Sequence, residues 1–227
     1  MRRMPHTDPM EGFDPRVIGD AYSAIAAEYA DKFGDDLDRL PFDRELLDSV
    51  LLRARGGGPV LDVGCGPAQA GAYLVAGGVR VICLDVAPRM LSVASARHAS
   101  LRRARLLGLA AGDMRALPVA DGSCAAAVSL YALHHLARAE LPAVLRQFRR
   151  VLAPAGALLL ATHEGTGEFA TQDPRITGTR YAGPELSQAL ERESFIVESI
   201  RQRDPLPHEM PSGRVYVTAT AGARRLG

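Results

Sequence analysis

The fold of this chain is decided by the sequence VLDVGCGPA at residues 60–68. Residues 59–63 form a short apolar run with two valines and have glycines on both sides, which predicts a buried parallel strand. Gly64 and Gly66 lack a Cβ, so the backbone can bend sharply there and a ligand can lie against it. Pro67 suits the first turn of a helix because its φ is already fixed. The stretch therefore predicts a strand, a tight turn and a helix in succession.

A strand, a glycine turn and a helix N-terminus in this order form a nucleotide cradle of the Rossmann type. Dinucleotide sites use G-x-G-x-x-G and hold a pyrophosphate on the helix N-terminus, but Gln69 stands at the third glycine position here. Asp62 would repel a pyrophosphate, and it suits a ligand that carries ammonium and sulfonium charges. The pattern Asp62-x-Gly64-x-Gly66 resembles the first motif of class I S-adenosylmethionine (SAM)-dependent methyltransferases, in which a glycine often stands at the position of Ala68.

The composition sets bounds on the function. With 227 residues, 47% of them hydrophobic and 23% charged, the chain is long enough for one α/β domain with a sizeable core. A formal net charge of +1 argues against nucleic acid as the main partner. No apolar run approaches the roughly 20 residues of a membrane span, and the first residues lack the apolar segment of a signal peptide. Cys65, Cys83 and Cys124 form no C-x-x-C pair, which predicts reduced thiols, no metal site and a cytoplasmic location.

The N-terminal region carries an aromatic stripe. Residues 17–33 repeat apolar side chains at helical spacing, and Tyr22 and Tyr29 belong to this stripe. One interpretation is core packing; the other is that a tyrosine closes over a ligand, with its aromatic face against a sulfonium. The sequence from Tyr22 to Tyr29 resembles the Y-D-x-x-A-x-x-Y helix that covers the site in many small-molecule methyltransferases, with Ser23 in place of Asp. A second helix is predicted at about residues 42–54.

The second predicted strand ends in an acid. Residues 79–85 are a β-branched run that ends at Asp85, about 20 residues past the glycine turn, where a Rossmann sheet places a carboxylate on ribose hydroxyls. A carboxylate can accept from both hydroxyls at once; the alternative is a surface acid at the end of a strand. The next residues, from Val86 to residue 91, resemble the family sequence D-x-S-x-x-M-L, which implies that Met90 lies beside the adenine.

A third cofactor segment follows the predicted strand at residues 105–111. The sequence from Gly112 to Ser123 resembles the family segment G-D-x-x-x-L-P-x-x-D-G-S-F-D. In that family the acid accepts a hydrogen bond from the adenine amino group and the next residue covers the ring, so the resemblance implies these roles for Asp113 and Met114. Cys124 and Ala125 replace the family's Phe-Asp pair, which implies different local packing.

The predicted strand at residues 123–130 delivers the sequence YALHHL at its C-terminal end, where ligands bind in an open α/β sheet. A histidine there can serve as a general base or a substrate anchor, since an unperturbed imidazole titrates near neutrality. The alternative is a structural or cofactor-shaping role, because L-H-H-L is common across the family. His135 and, after the next strand, His163 are the candidate bases. The polar loop at residues 163–180 either sets the substrate choice or is a solvated connector.

The remaining elements complete an α/β pattern. An amphipathic helix is predicted at residues 140–152, a strand at 157–162 and a short helix at 183–192. Two final strands, at 195–203 and 214–220, are expected to form an antiparallel hairpin that closes the sheet.

The resemblance covers about residues 20–220. It implies an α/β fold with a Rossmann-like sheet of seven mostly parallel strands, a C-terminal antiparallel hairpin, an N-terminal helical lid at residues 1–55 and a SAM-binding core at residues 56–227. It also implies in-line methyl transfer from SAM to a small-molecule acceptor, which leaves S-adenosylhomocysteine. Methylation of oxygen or nitrogen is favoured over carbon, and the protein is expected to be a monomer or a homodimer.

Two other functions stay open: a SAM-binding protein that transfers no methyl group, and an NAD-dependent oxidoreductase, which Asp62 and the missing third glycine disfavour. The predicted catalytic residues are His135 and His163. The predicted cofactor-binding residues are Tyr22, Tyr29, Asp62, Gly64, Cys65, Gly66, Asp85, Val86, Met90, Asp113, Met114 and Leu130.

Overall fold

The computed structural model describes residues 11–223, and the predicted lid and core extend beyond these bounds at either end. Its nine strands and eight α-helices alternate over most of the chain. The strands are β1 (Val60–Val63), β2 (Val81–Asp85), β3 (Leu107–Ala111), β4 (Cys124–Leu130), β5 (Leu152–His163), β6 (Glu168–Ala170), β7 (Thr177–Thr179), β8 (Phe195–Arg203) and β9 (Arg214–Ala221). The helices are α1 (Pro15–Ala24), α2 (Ala26–Phe33), α3 (Pro41–Ala54), α4 (Gln69–Ala76), α5 (Pro88–Arg97), α6 (Ala99–Arg103), α7 (Leu141–Val151) and α8 (Gly183–Arg192).

Seven strands form one sheet in the order β3-β2-β1-β4-β5-β9-β8. The first five are parallel to one another, and β9 pairs antiparallel with both β5 and β8. The predicted seven-stranded, mostly parallel sheet with a C-terminal antiparallel hairpin is therefore confirmed. The chain moves outward from β1 to β3 and then returns to β4 on the other side of β1. This change of direction opens a crevice outside the carboxyl ends of β1 and β4, the position where open α/β sheets bind ligands.

Helices cover both faces of the sheet. On one face, Leu61 of β1 packs in a cluster with Phe148 of α7 and Leu186 of α8. On the other, Val60 of β1 packs with Leu47 of α3 and with α4. Successive residues of β1 thus enter opposite cores, which is why all four residues of this strand are buried and three of them are apolar.

The predicted helix at residues 17–33 is two helices in the structure, α1 and α2. The chain breaks at Ile25, which has a φ of −107° and is 42% exposed. Ala26, at the start of α2, is buried against Ala87 and Met90. Packing against α5 therefore sets the direction of α2, and an unbroken helical spacing in the sequence does not reveal this.

The predicted loop at residues 163–180 contains the antiparallel pair β6–β7, in which Phe169 lies opposite Gly178. Thr179 donates a hydrogen bond to the carbonyl of Leu136 at 2.7 Å, and this bond ties the pair to the segment after β4. The segment is therefore folded beside the carboxyl ends of β4 and β5, although residues 164–175 are exposed or half-exposed. Its role in substrate choice stays a prediction. Within residues 11–223, no helix has both the length and the apolar character that crossing a bilayer demands.

Candidate active site

A cavity of about 1000 Å³ lies at the carboxyl ends of the parallel strands. Its volume is at the upper end of the range for small-ligand sites, about 300–1000 Å³, so it has room for a nucleotide and a second small molecule. Every residue predicted to bind the cofactor or to act in catalysis lines this one cavity: Tyr22, Tyr29, Asp62, Gly64, Cys65, Gly66, Asp85, Val86, Met90, Asp113, Met114, Leu130, His135 and His163.

The glycine turn after β1 has two different requirements for glycine. Gly64 has a φ of +71°, and a Cβ there would lie 2.2 Å from the Cβ of Ala132, so packing excludes a side chain. Gly66 has a φ of +53°, and a Cβ there would meet only the ring of Tyr29, at 3.8 Å. Packing thus requires the first glycine, whereas the second leaves the turn open toward the cavity.

Asp85 is buried and holds the glycine turn in place. One carboxylate oxygen accepts from the amide of Gly66 at 2.7 Å, and the other accepts from the amide of Ala87 at 2.8 Å. Burial raises the pKa of this carboxyl, and the amide donors offset only part of that effect. The surface-acid interpretation is therefore wrong. Each oxygen keeps lone-pair capacity beyond these bonds, so binding of ribose hydroxyls stays a prediction that the geometry permits.

Asp62 is 2% exposed, and burial raises its pKa to about 7. Its Oδ2 accepts a weak hydrogen bond from the thiol of Cys83 at 3.8 Å. An ammonium group against this carboxylate would favour its charged form and lower its pKa. The position thus suits the ammonium-bearing ligand inferred from the sequence.

The segment after β3 is linked to the N-terminal region. Asp113 accepts a hydrogen bond from the amide of Arg115 at 2.9 Å. The guanidinium of Arg115 donates to both oxygens of Glu140, at 2.6 and 3.0 Å, and to the carbonyl of Phe13 at 2.9 Å. Arg115 thereby connects the predicted adenine segment to the residues just before α1. The sequence analysis missed this residue, although it directly follows the Asp113–Met114 pair.

Two lid tyrosines and His135 form an aromatic group over the cavity. The Tyr22 ring meets the rings of Tyr29 and His135 edge-on, with centroids 5.8 and 5.2 Å away. The Tyr22 hydroxyl also lies 3.0 Å from Nε2 of His135. Burial raises the pKa of Tyr29 to about 12, so its ring keeps a neutral hydroxyl at neutral pH. The tyrosines of the stripe thus pack against neighbouring rings and also line the cavity. Core packing and ligand contact are therefore compatible interpretations.

Three imidazoles meet beside β4 and β5. His134 lies 3.9 Å from His135 and 4.9 Å from His163 between ring centroids. Burial lowers the pKa of His135 to about 3 and that of His163 to about 4, and it takes that of His134 well below its usual range. All three rings are therefore neutral at pH 7. A neutral imidazole can accept a proton, but so low a pKa makes it a weak base, and the base roles of His135 and His163 stay predictions.

A buried polar network borders the same end of the cavity. Asp43 of α3 accepts from the hydroxyl of Tyr131 at 2.7 Å and from that of Tyr216 at 3.0 Å. Arg214 of β9 lies over the Tyr131 ring, and its Nη1 is 3.3 Å from Nδ1 of His163. The sequence analysis missed these residues because α3, β4 and β9 come together only through the sheet order. The one local signal was Tyr131, which directly follows a buried strand.

No group of three or more His, Cys, Asp or Glu side chains in the described part of the chain is arranged to hold a metal ion. The cavity lining combines backbone turns, carboxylates, aromatic rings and imidazoles.

Sequence comparison matches residues 60–156 to a family model described as a methyltransferase domain. A malonyl-[acyl-carrier protein] O-methyltransferase of Pectobacterium atrosepticum is 31% identical over 172 residues, which are 75% of this chain and 63% of that relative. A demethylmenaquinone methyltransferase of Beutenbergia cavernae is 32% identical over 161 residues, covering 70% of this chain and 60% of that one. The chain thus spans less than two thirds of the length of these curated relatives.

Two solved structures share the fold over nearly the whole chain. One is 1,6-didemethyltoxoflavin-N1-methyltransferase of Burkholderia thailandensis with bound 1,6-didemethyltoxoflavin and S-adenosylhomocysteine. It has a TM-score of 0.77 and 20% identity, over 98% of this chain and 94% of that one. The other is the [4+2]-cyclase SpnF, with a TM-score of 0.72 and 17% identity, over 92% of this chain and 97% of that one. Motifs, sheet order, cavity and relatives agree: the chain belongs to the class I SAM-dependent methyltransferase family.

Proposed function

We propose that this protein transfers a methyl group from SAM to a small organic acceptor. The observation that carries the proposal is that one cavity, at the switch point of the sheet, holds every predicted cofactor residue and has room for a second molecule. SAM supplies a methyl group already activated on a sulfonium.

The protein's own contribution is binding, alignment and exclusion of water. We assign Asp85 to the ribose hydroxyls, Asp113 and Met114 to the adenine, and Asp62 to the ammonium group of the methionine part. Tyr22 and Tyr29 close the cavity from the lid side and present aromatic faces, which favour a sulfonium. The division into a lid at residues 1–55 and a core at residues 56–227 belongs to the same proposal, although α3 also packs directly on the sheet.

The acceptor is proposed to be methylated on oxygen or nitrogen. Support comes from the names of two proteins: a relative is a malonyl-[acyl-carrier protein] O-methyltransferase, and a structure with the same fold is an N1-methyltransferase. His135 and His163 line the cavity, and their low pKa values suit only an acceptor whose proton is already acidic. The cytoplasmic location, the absence of a nucleic-acid partner and the monomeric or dimeric state stay predictions.

A second candidate is a SAM-binding protein that transfers no methyl group. The [4+2]-cyclase neighbour favours it, because a protein named for a different reaction has the same fold. This candidate would use the same cofactor residues, and only the acceptor side of the cavity would differ.

One experiment separates the two candidates. The purified protein would be incubated with SAM carrying a labelled methyl group and a panel of carboxylic acids, enols, phenols and amines. Methyl transfer requires label in an acceptor and an equal amount of S-adenosylhomocysteine. SAM that binds tightly and is returned unchanged with every compound would instead favour the second candidate.

A further inference from the structure

His163 and Arg214 face each other across the β5–β9 pair, and both are 4% exposed. Nη1 of Arg214 lies 3.3 Å from Nδ1 of His163. A guanidinium has donors only, so Nδ1 of His163 must accept this hydrogen bond. In a neutral imidazole the ring proton then sits on Nε2. The nitrogen left for a ligand is therefore a hydrogen-bond donor.

The donor has access to the cavity. His163 lines the cavity, and across residues 11–223 its Nε2 has no hydrogen-bond partner and is not enclosed by protein. The His134 ring and the Phe169 ring lie against the His163 ring, with centroids 4.9 and 5.2 Å away, and hold its orientation. The N–H is thus pre-positioned, and aromatic and imidazole rings shield its surroundings from water.

The charge behind His163 favours an anion. The carboxylate of Glu209 accepts from Arg203 at 2.5 and 2.7 Å, whereas Arg214 is 3.8 Å from it. One carboxylate thus lies between two guanidinium groups and is closer to Arg203. A second buried acid, Asp43, is 3.6 Å from Arg203, and burial raises its pKa. Arg214 therefore keeps positive potential at His163, and a fixed N–H donor with positive charge behind it is an arrangement that stabilises oxyanions.

We propose that His163 and Arg214 bind the acceptor through a delocalised oxyanion, so that the acceptor is a carboxylate or the enolate of an acidic enol, not an amine. This inference rests on the proposed function. One oxygen accepts from Nε2 of His163, and the other attacks the methyl carbon. The new O–C bond forms as the C–S bond breaks and its electron pair returns to sulfur. The acceptor arrives already ionised, so no proton has to be removed in the site. His163 then binds the acceptor and does not act as a base, and Arg214 is a positioning residue that acts through it.

The test uses histidine ¹⁵N NMR on the full-length protein saturated with S-adenosylhomocysteine, with His163→Gln to assign the ring signals. At pH 7 we expect Nδ1 of His163 without a proton and Nε2 with one. Titration with sodium benzoate should move the Nε2 signal to saturation, whereas benzylamine, of similar shape and opposite charge, should not. Arg214→Gln should weaken benzoate binding by about tenfold or more, in the range for losing an interaction with a charged group. Arg214→Lys should restore part of that loss.

Arg146→Gln is the matched control, because Arg146 pairs with Glu193 on the exposed side of α7, away from the cavity. If Arg214→Gln does not fold, the wild-type titration decides. A proton on Nδ1, an equal response to benzylamine or no response to benzoate would each overturn the inference. Calorimetry on the same samples distinguishes a failure of the proposed function from a failure of the oxyanion site. Lack of S-adenosylhomocysteine binding would mean that the proposed function is wrong. Binding of this nucleotide without a benzoate response would reject only the oxyanion site.

Discussion

The two ends of the cavity are built in different ways. The proposed cofactor end, formed by Asp62, the glycine turn, Asp85 and Asp113, comes from the carboxyl ends of three successive strands. The proposed acceptor end, formed by Tyr131, His163 and Arg214, combines the residue after β4 with residues of β5 and β9. The cofactor end presents acids, and the acceptor end presents neutral imidazoles with a buried guanidinium. One end is specified by short local motifs and the other by strand register, so changes at the two ends should affect different measurements.

The largest effect is expected at the glycine turn. Gly64→Val puts a β-branched side chain at a φ of +71° and a Cβ 2.2 Å from that of Ala132. Backbone strain and overpacking together should cost about 2–6 kcal/mol, shared between folding stability and SAM affinity. Denaturant unfolding and calorimetry would measure the two parts.

The matched control is Gly78→Ala, because Gly78 also has a positive φ, +94°, but has open space where a Cβ would stand. This control should lose stability and keep SAM affinity. Equal affinity losses in both variants would mean that the glycine turn is not in the cofactor site.

The next largest effect is expected in the pH dependence of folding stability, through His163 at the acceptor end. Burial lowers the pKa of His163 from 6.5 to about 4, so the folded state binds its proton less readily than the unfolded chain does. The stability from keeping this ring neutral is full above about pH 6.5 and is lost as the pH falls toward 4. Relative to His163→Gln, the wild type should lose about 1.4 kcal/mol per pH unit in this window, about 3 kcal/mol in all. Parallel stability curves for the two proteins would show that the imidazole is not buried in its neutral form.

Replacing the Asp85 carboxylate should lower SAM affinity and leave the acceptor end unchanged. Asp85→Asn keeps the size of the side chain, but it puts an NH₂ group where a backbone amide now donates. Loss of a hydrogen bond to a charged group should weaken SAM binding by about 1–3 kcal/mol in calorimetry. Asp48→Asn is the control, because Asp48 is exposed and accepts its hydrogen bond from the hydroxyl of Tyr73. Unchanged SAM affinity in Asp85→Asn would refute the ribose assignment.

The smallest effect is expected where the two ends meet under the lid. Tyr22→Phe removes the contact with Nε2 of His135 and keeps the ring. Loss of one neutral hydrogen bond is worth about 0.5–1.5 kcal/mol, so S-adenosylhomocysteine should dissociate roughly 2- to 10-fold faster in stopped-flow measurements. Tyr73→Phe breaks a hydrogen bond between a tyrosine hydroxyl and Asp48 outside the cavity and should leave the rate unchanged. Equal rates in all three proteins would mean that the lid contact does not hold the nucleotide.

The sequence predicted the sheet well, and the residues that it assigned to the cofactor line one cavity, because both depend on neighbouring residues. A valine-rich strand, two glycines and an acid at the end of the next strand identify a switch-point cleft without any knowledge of distant contacts. The break at Ile25 was missed because it results from packing of Ala26 on α5. The link from Arg214 to His163 was missed because it needs the antiparallel register of β5 and β9, and nothing near either residue encodes that register.

Calorimetric titration with SAM, S-adenosylhomocysteine and NAD is the measurement to make first. Binding of both sulfur nucleotides and no binding of NAD is the expected result, because Asp62 and the missing third glycine disfavour a pyrophosphate at the turn. Binding of NAD alone would contradict the methyltransferase function and the role assigned to Asp62.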